Sequence, residues 1–298
     1  MPSRDAIIGL SIGQKSVQAV EVLHDGLTTT LEAMDEWENT LIGPQADPAG
    51  VEQFSASLTG FVRKHGIRAR KMSVALDTSS LFLNTIPLET NLSPAEVHEQ
   101  LTWELRQYYP DLQPKEFITD THVLAHREAD RCDDVLTVSV RRADTEKIQS
   151  VATRTGLDLY IVDVDHFSAE TALRVNYPDT TSKFLALVGI KHHRLDISLI
   201  RQGNMECYYY YMVQSNAEIV DHIGDLSRET PGIFSIATYG PHLDKYLLVD
   251  IRRASSLLVE ALNPLRHVNV ANSLQLSESI TAPSYRFAAA VGVALRKD

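Results

Sequence analysis

Hydrophobic and polar positions near the start of the chain follow two patterns in succession. Residues 7–12 are largely apolar, Gly13 interrupts them, and residues 17–22 then largely alternate between apolar and polar side chains. This order predicts a strand, a turn and a second strand, and Asp25-Gly26 follows as a turn that short hairpins favour. Because a glycine turn has no Cβ to block a ligand, such a hairpin can direct backbone N–H groups at a phosphate.

The same pattern occurs again later in the chain. An apolar run over residues 184–190 is followed by the polar turn Lys191-His192-His193 and by an alternating stretch, residues 195–200. Each hairpin is followed by signals for a third strand, an amphipathic helix and a fourth strand. These are residues 27–37, 51–62 and 72–76 in the first half, and 206–213, 219–226 and 233–237 in the second. The repetition predicts two lobes of one architecture.

The helix of the first half has clear boundary signals. Asp47 suits the N-cap position, Pro48 suits the first helical position, and Gly66 suits the residue just past the end. Its apolar residues are spaced to share one face: Val51, Phe54, Leu58, Phe61 and Val62.

A third unit separates the two halves. We assign residues 82–165 to an inserted α+β module, residues 1–81 and 166–181 to the first lobe, and residues 182–298 to the second. We also expect that the small-residue helix near the C-terminus is able to pack back on the first lobe.

Within the module, Ser93-Pro94-Ala95-Glu96 predicts a capping box. The following helix places Val97, Leu101, Leu105 and Tyr108 on one face and Trp103 nearly opposite. Trp103 either covers a second neighbour within the fold or meets a partner. Asp144 is the expected N-cap of a second helix that ends at Gly156, and residues 157–164 are predicted as a buried strand.

Composition limits the class of protein. The chain has 298 residues, of which 44% are hydrophobic and 22% charged, as in an ordinary globular protein. No apolar run approaches the roughly 18 residues of a membrane span, and Met1-Pro2-Ser3-Arg4-Asp5 does not resemble a signal peptide, so we expect a cytoplasmic protein. The two cysteines, Cys132 and Cys207, form no zinc-binding pattern.

The net charge of −11 argues against broad nucleic-acid binding, which needs concentrated positive charge. One basic cluster departs from this trend. It is either a solvated helix end or a contact for anionic lipid or an acidic partner, and comprises Arg63, Lys64, Arg68, Arg70 and Lys71.

Several motifs together resemble the PilM family, the FtsA-related, actin-like proteins of type IV pilus assembly. These motifs span most of the chain. Residues 9–21 resemble the first phosphate motif, and the start of the insert is represented by Ile86-Pro87-Leu88, Trp103-Glu104 and Tyr108-Tyr109-Pro110. The return from the insert is represented by Gly156-Leu157, residues 162–165 and Ala169, and the C-terminal signature by residues 268–272 and 289–296. The resemblance implies an actin-like, ribonuclease-H-like duplicated bilobal fold of the α/β class, with the small α+β insert.

The nucleotide motifs depart from the family pattern. ATP-binding members carry an acidic residue in each phosphate hairpin, where this chain has Ser11 and Gly189. Lys191 stands where a turn glycine is expected, and Tyr239 stands where the first of two paired glycines is expected. Magnesium favours carboxylate ligands, so Mg-ATP is disfavoured and no enzyme activity is expected. Gly13, Gln14, Lys15 and Ser16 are the candidate cofactor-binding residues of this degenerate hairpin.

The resemblance also implies a partner. PilM proteins bind the short cytoplasmic N-terminal segment of PilN, a single-span inner-membrane protein, near the groove between the first lobe and the insert, and connect it to the assembly motor ATPases. We therefore expect a non-catalytic adaptor at the cytoplasmic face of the inner membrane. An extended peptide could add main-chain hydrogen bonds beside residues 82–86. The candidate partner-binding residues are Leu83, Ile86 and Trp103.

Alternatives stay open at this point. They are an ATP-binding actin relative that polymerises, a kinase of the same superfamily, and the actin-like part of a type II secretion platform protein. His192-His193 with Asp196 suggests a metal site, but adjacent residues on a strand point to opposite faces, which favours a polar turn and no metal. Tyr208-Tyr209-Tyr210-Tyr211 predicts one aromatic pair in the core and one outside.

Overall fold

The first lobe begins with the hairpin that the sequence pattern predicts. The computed structural model describes residues 5–26, 28–43, 49–180, 182–275 and 283–296. In it, β1 (Asp5–Ile12) pairs antiparallel with β2 (Ser16–His24), and β2 pairs antiparallel with β3 (Thr29–Glu38). After α1 (Gly50–His65), β4 (Lys71–Leu76) returns parallel to β1. Gly66 ends α1 with φ 64°, a left-handed conformation that favours glycine. The predicted cap, Asp47-Pro48, lies outside the described residues.

The inserted module is a small sheet with one helix. It comprises β5 (Phe82–Glu89), α2 (Pro94–Tyr108), β6 (Phe117–Arg127) and β7 (Cys132–Arg141), with the antiparallel strand order β5-β7-β6. The predicted capping box starts α2: Ser93 N–H donates to Glu96 Oε2 at 2.8 Å, and Glu96 N–H donates to Ser93 Oγ at 3.4 Å. The predicted apolar face buries Leu101 and Leu105, while Tyr108 at its end is exposed.

The module ends earlier than the sequence assignment placed it. α3 (Arg142–Thr155) packs on α1, and β8 (Asp158–Val164) pairs parallel with β4. These elements share the first lobe's core, so the predicted range 82–165 is too long at its C-terminal side. Local periodicity identifies the strand but not its neighbours: β8 is at the end of the sheet order, and of its residues only Val164 is buried, so the prediction of a buried strand is wrong. Asp144 is not the N-cap: α3 starts at Arg142, and Asp144 lies in its first turn.

The second lobe repeats the first. α4 (Asp165–Asn176) leads to β9 (Phe184–Ile190), β10 (Arg194–Arg201), β11 (Asn204–Met212), α5 (Asn216–Glu229) and β12 (Ser235–Tyr239), and then to α6 (Lys245–Ala254) and β13 (Leu258–Ala261). Its sheet order is β11-β10-β9-β12-β13. The first sheet contains the matching run β3-β2-β1-β4, continued by β8. The predicted duplication is confirmed.

The end of the chain crosses back to the first lobe. β14 (Asn269–Val270) pairs with β3 at the edge of the first sheet and is followed by α7 (Asn272–Gln275). α8 (Ala288–Leu295) is buried along its whole length, against β1 and α4. A Cβ on Gly9 would overlap the Ala290 carbonyl oxygen, so glycine permits this close approach. Within the described part of the chain, no helix is long and apolar enough to cross a membrane.

Candidate functional site

The two equivalent hairpins face each other across the cleft between the lobes. They enclose a cavity of about 350 Å³. The four cofactor candidates from the first hairpin line it together with the turn of the second, that is Gly13, Gln14, Lys15 and Ser16 with Lys191, His192, His193 and Arg194. The structure thus places these candidates where the pattern of the sequence predicted a phosphate hairpin.

The turn of the first hairpin is closed by its own hydrogen bonds. Gly13 N–H donates to the Ser16 carbonyl at 2.9 Å, and Asn39 Nδ2 donates to the Gly13 carbonyl at 2.7 Å. Gln14 Nε2 donates to Ser79 Oγ at 2.8 Å. Lys15 is exposed, and no carboxylate of the described residues lies within ion-pair distance of it. The N–H of Gly13 is therefore already engaged, and Lys15 is the side chain still available to an anion.

The buried ammonium group of Lys191 fills the inner end of the cleft. Its Nζ lies 2.7 Å from Asp165 Oδ2, 3.0 Å from Asp196 Oδ2 and 3.6 Å from Asp77 Oδ1. Nζ also donates to Thr78 Oγ1 at 2.5 Å, and Thr78 Oγ1 donates to Asp196 Oδ2 at 2.8 Å. Because Asp77 and Thr78 follow β4 while Lys191 and Asp196 belong to the second lobe, this network joins the two lobes.

Sequence reasoning missed Asp77 and Asp165. Each directly follows the last residue of a parallel strand, β4 or β8, and the carboxyl ends of neighbouring parallel strands meet at one edge of a sheet. That position was the available signal. The cleft therefore does contain carboxylates, but an internal lysine neutralises them.

A second cation completes this buried network. Arg194 Nε donates to Asp196 Oδ1 at 2.8 Å, and Tyr208 Oη donates to the same oxygen at 2.7 Å. Burial acts to raise the pKa of Asp196, but Lys191 and Arg194 outweigh it and hold that pKa below its usual range. Burial, opposed by Lys191 and reinforced by Asp77 and Asp196, raises the pKa of Asp165 to about 7. Two cations thus face three carboxylates, one of which holds a proton easily.

Neutral polar groups lie beside Gly189 of the second hairpin. A Cβ on Gly189 would lie 2.8 Å from Tyr239 Oη, so the tyrosine occupies the space that a larger side chain needs. Tyr239 Oη is 2.9 Å from His166 Nδ1, and His166 Nε2 is 2.8 Å from Ser198 Oγ. Burial lowers the pKa of His166 to about 3, so its ring is neutral near pH 7.

The paired histidines lie in a turn, between the end of β9 and the start of β10, and not on a strand. The prediction that their rings diverge is wrong: the ring centroids of His192 and His193 are 4.1 Å apart, and that of His242 is 5.4 Å from His192. Among the residues that the structure describes, no group of three histidine, cysteine or acidic side chains is placed to hold a metal ion.

A larger groove of about 710 Å³ lies between the inserted module and the first lobe. One wall is the sheet of the module, with Ile118, Val138 and Val140, and the opposite wall is formed by Val162 and Phe167. Further apolar residues extend these walls: Leu76, Leu81, Leu136, Val164 and Met205. The groove thus has apolar patches on both walls, with polar and charged side chains between them.

The three partner-binding candidates do not line this groove. Leu83 and Ile86 are 6% and 2% exposed and pack in hydrophobic cores, and Trp103 is 58% exposed on α2. From the sequence we expected residues 82–86 to border the peptide-binding groove, but none of them lines it. The strands that line it are β6 and β7, and their side-chain directions depend on the module's packing against the first lobe.

Charged side chains lie among the apolar residues of the groove. Asp163 Oδ2 is 2.5 Å from Arg296 Nη1 and accepts from Ser168 Oγ at 2.9 Å. Burial raises the pKa of Glu170 to about 7, opposed by Arg174. No hydrogen bond or ion pair to Glu170 is found within the described ranges.

The basic cluster and the tyrosine run lie at the surface of the protein, apart from a buried Tyr208. In the basic cluster, Lys64 pairs with Asp35 at 2.6 Å and Lys71 pairs with Asp5 at 2.9 Å, as in a solvated surface. The prediction that one pair of the tyrosine run lies in the core is wrong: Tyr208 alone of the four is buried, Tyr209 is half-buried, and Tyr210 and Tyr211 are 41% and 38% exposed.

Comparison with known proteins agrees with this architecture. A solved structure described as a PilM–PilN type IV pilus biogenesis complex is 17% identical, with a TM-score of 0.77, covering 99% of this chain and 98% of that chain. A Bacteroides thetaiotaomicron protein with an actin-like ATPase fold is 9% identical, with a TM-score of 0.52 and coverage of 89% and 93%. The cytoplasmic domain of EpsL, an inner-membrane component of the Vibrio cholerae type II secretion system, is 10% identical, with a TM-score of 0.51 and coverage of 95% and 100%.

At these identities the structural likeness shows the fold, and it confirms the predicted actin-like class. The family is shown by sequence: residues 9–211 match the family model described as type IV pilus assembly protein PilM. This region is more than half of the 298 residues and includes the first phosphate hairpin, the insert and the second hairpin. The chain therefore belongs to the PilM family of type IV pilus assembly proteins.

Proposed function

We propose that this protein is a non-catalytic adaptor of the type IV pilus assembly platform. It binds the cytoplasmic N-terminal segment of a PilN-like single-span membrane protein and so works at the cytoplasmic face of the inner membrane. The observation that carries this proposal is the apolar groove between the module and the first lobe. From this position the adaptor connects the membrane complex to the assembly motor ATPases.

The shape and chemistry of the groove suit an extended peptide. Its two walls expose Ile118 and Val162 to 42% and 38%, which offers apolar contact to alternate side chains of a strand-like ligand. β6 is also an edge strand of the module's sheet, so no strand among the described residues pairs with the main-chain groups on its outer side. A peptide can therefore gain both main-chain hydrogen bonds and side-chain burial.

The cleft supports the non-catalytic part of the proposal. Ser11 and Gly189 supply no carboxylate at the two family positions, and Tyr239 fills the space beside Gly189. The carboxylates that do reach the cleft are engaged by Lys191. Magnesium prefers free oxygen ligands alongside phosphates. An ATP-binding, polymerising protein is the alternative, because the cavity beside Lys15 remains open; micromolar Mg-ATP affinity by calorimetry would favour it.

The test is fluorescence anisotropy with a labelled peptide copied from the cytoplasmic N-terminus of the PilN-like protein. Ile118→Asp and Val162→Asp place a charge on either wall, and each is expected to weaken binding at least about tenfold, because a buried charge must lose its water. Val249→Asp is the matched control: Val249 is 42% exposed on α6, outside the groove. Equal affinity for all four proteins would place the peptide elsewhere, and no binding by the folded wild type would refute the adaptor role.

A further inference from the structure

The groove contains one carboxylate that its own protein leaves without a partner. Glu170 lies on α4 and lines the channel. The neighbouring carboxylate, Asp163, is used within the protein, by Arg296 at 2.5 Å and by Ser168. For Glu170 no hydrogen bond or ion pair is found in the part of the chain that the structure describes. Glu170 is partly exposed in the groove, so a ligand that lies there can reach its carboxylate.

The charged groups around Glu170 come from several elements. Arg174 is one helical turn further along α4, exposed and beyond ion-pair distance, and Asp163 precedes α4 on β8. Asp120 and His122 face the groove from β6, and Arg296 faces it from the end of the chain. The inner pair of Asp163 with Arg296 is neutral as a whole. We call the α4 side of the groove, between the two walls, its floor. Glu170 is therefore the negative group on this floor whose charge a ligand can neutralise.

We propose that Glu170 binds a positively charged group of the partner segment, either a lysine or arginine side chain or the free α-amino group. This contact rests on the proposed adaptor function and specifies the chemistry of the segment: apolar side chains along the two walls and one cation on the floor. Once the peptide covers the groove and excludes water, a charge-assisted hydrogen bond there is stronger than the same contact on an open surface. The cation thus also fixes the register of an otherwise apolar peptide.

The acidity of Glu170 gives this contact a signature. Its pKa of about 7 means that the carboxyl group is partly protonated in the unbound protein near neutral pH. A cation binds the ionised form, so a proton must leave as the peptide binds. If the cation is a lysine or arginine side chain, affinity is then expected to rise as pH increases through 7 and to level off above it. If it is the α-amino group, whose ordinary pKa is about 8, affinity should rise through 7 and fall again as that amine loses its proton. A structural role for Glu170 alone would not produce this dependence.

The experiment combines Glu170→Gln with altered peptides. The probe is the labelled N-terminal peptide of the PilN-like protein. In each of its neutral forms one cation is removed: a lysine is replaced by norleucine, an arginine is replaced by citrulline, or the α-amino group is acetylated. We expect Glu170→Gln to weaken binding of the native peptide about tenfold or more. One neutral peptide should bind equally weakly to both proteins. The pH dependence should disappear in Glu170→Gln and persist in the control His98→Asn, at an exposed histidine of α2 outside the groove.

The outcomes separate this contact from the function on which it rests. If Glu170→Gln binds every peptide like the wild type with an unchanged pH profile, Glu170 is not the contact, and the adaptor role still stands. If the wild type binds no peptide, the adaptor role fails and the contact fails with it. If Glu170→Gln does not fold, the neutral peptides and the pH profile of the wild type decide alone: equal affinities across both series would overturn the proposal.

Discussion

Gly292 of α8 lies directly against the backbone carbonyl of Ser168 in α4, so closely that a Cβ at position 292 would overlap the carbonyl oxygen. Backbone atoms cannot move aside as the end of a flexible side chain can. Gly292→Ala is therefore expected to lower the free energy of unfolding by at least about 1–3 kcal/mol, the usual cost of overpacking. Chemical denaturation measures this change.

Gly60→Ala is the matched control for that substitution. Gly60 is exposed in the middle of α1, and no atom lies within 4 Å of the position of its missing Cβ. Alanine has the higher helix propensity, so this change is expected to raise the free energy of unfolding by about 0.5–1 kcal/mol. A Gly292→Ala protein as stable as Gly60→Ala would show that α8 does not depend on this contact.

Replacing Lys191 with methionine tests the network between the lobes. The change leaves the carboxylates of Asp77, Asp165 and Asp196 without their shared cation, and breaking a buried ion pair costs about 3–5 kcal/mol. Adding Asp165→Asn removes one negative charge and should restore part of the loss. Lys15→Met, at an exposed lysine of the same cavity, should have little effect.

These variants are compared by thermal unfolding and by small-angle X-ray scattering, since the network joins residues of both lobes. We expect Lys191→Met to lower Tm and to increase the radius of gyration. A variant with the wild-type Tm and radius would mean that the ammonium group does not hold the lobes together.

Gly189→Asp tests whether a carboxylate can return to the second hairpin. Tyr239 Oη occupies the position 2.8 Å from where the new Cβ would lie, so the single variant should lose about 1–3 kcal/mol of stability. Gly189→Asp with Tyr239→Phe should recover only a small part of that loss, because it removes the hydroxyl group but keeps the ring carbons that lie 2.9 and 3.0 Å from the new Cβ. Calorimetry with Mg-ATP is expected to show no gain in affinity for either protein, since Lys191 stays in place. Denaturant unfolding that finds Gly189→Asp neutral would contradict the steric argument.

His166 should make stability depend on pH in the acidic range. Its pKa is about 3 in the folded protein, below the ordinary value of 6.5, because the ring is buried. The unfolded chain therefore binds more protons below pH 6.5, and folding stability falls as pH decreases from there towards 3, at up to about 1.4 kcal/mol per pH unit. Above pH 6.5 the group has no effect.

The measurement for His166 is the difference in unfolding free energy between wild type and His166→Gln across pH 4 to 8. Other groups titrate in both proteins and cancel in this difference. The difference in unfolding free energy should become smaller as the solution becomes more acidic. The wild type loses stability because its unfolded chain takes up a proton at His166, whereas glutamine takes up none. A constant gap would mean that the histidine is protonated in the folded protein or that its ring is accessible to water.

Much of the architecture followed from local sequence patterns. The two hairpins, α1 with its glycine end and the capping box of α2 all depend on residues close to one another in the chain. Hydrophobic periodicity and turn chemistry report such short-range structure directly. The recurrence of the hairpin pattern at residues 184–200 was enough to predict the duplication.

Other features depended on contacts between distant segments. The apolar run over residues 157–164 predicted a buried strand in the module, but β8 pairs with β4 in the first sheet and exposes Tyr160 and Val162. Leu83 and Ile86 looked accessible as a strand-like stretch, yet the packing of the module buried both. Side-chain direction on a strand depends on register, which a short stretch of sequence leaves undetermined.

The sequence by itself determined the family, the two-lobed fold and the loss of the acidic residues at Ser11 and Gly189. Only the tertiary structure decided that Asp77 and Asp165 enter the cleft, that Lys191 neutralises them, and that Glu170 is left without a partner in the groove. The physical reason is that the ionisation and accessibility of a side chain depend on burial and on charges brought close by folding, and those charges belong to residues far apart in the chain.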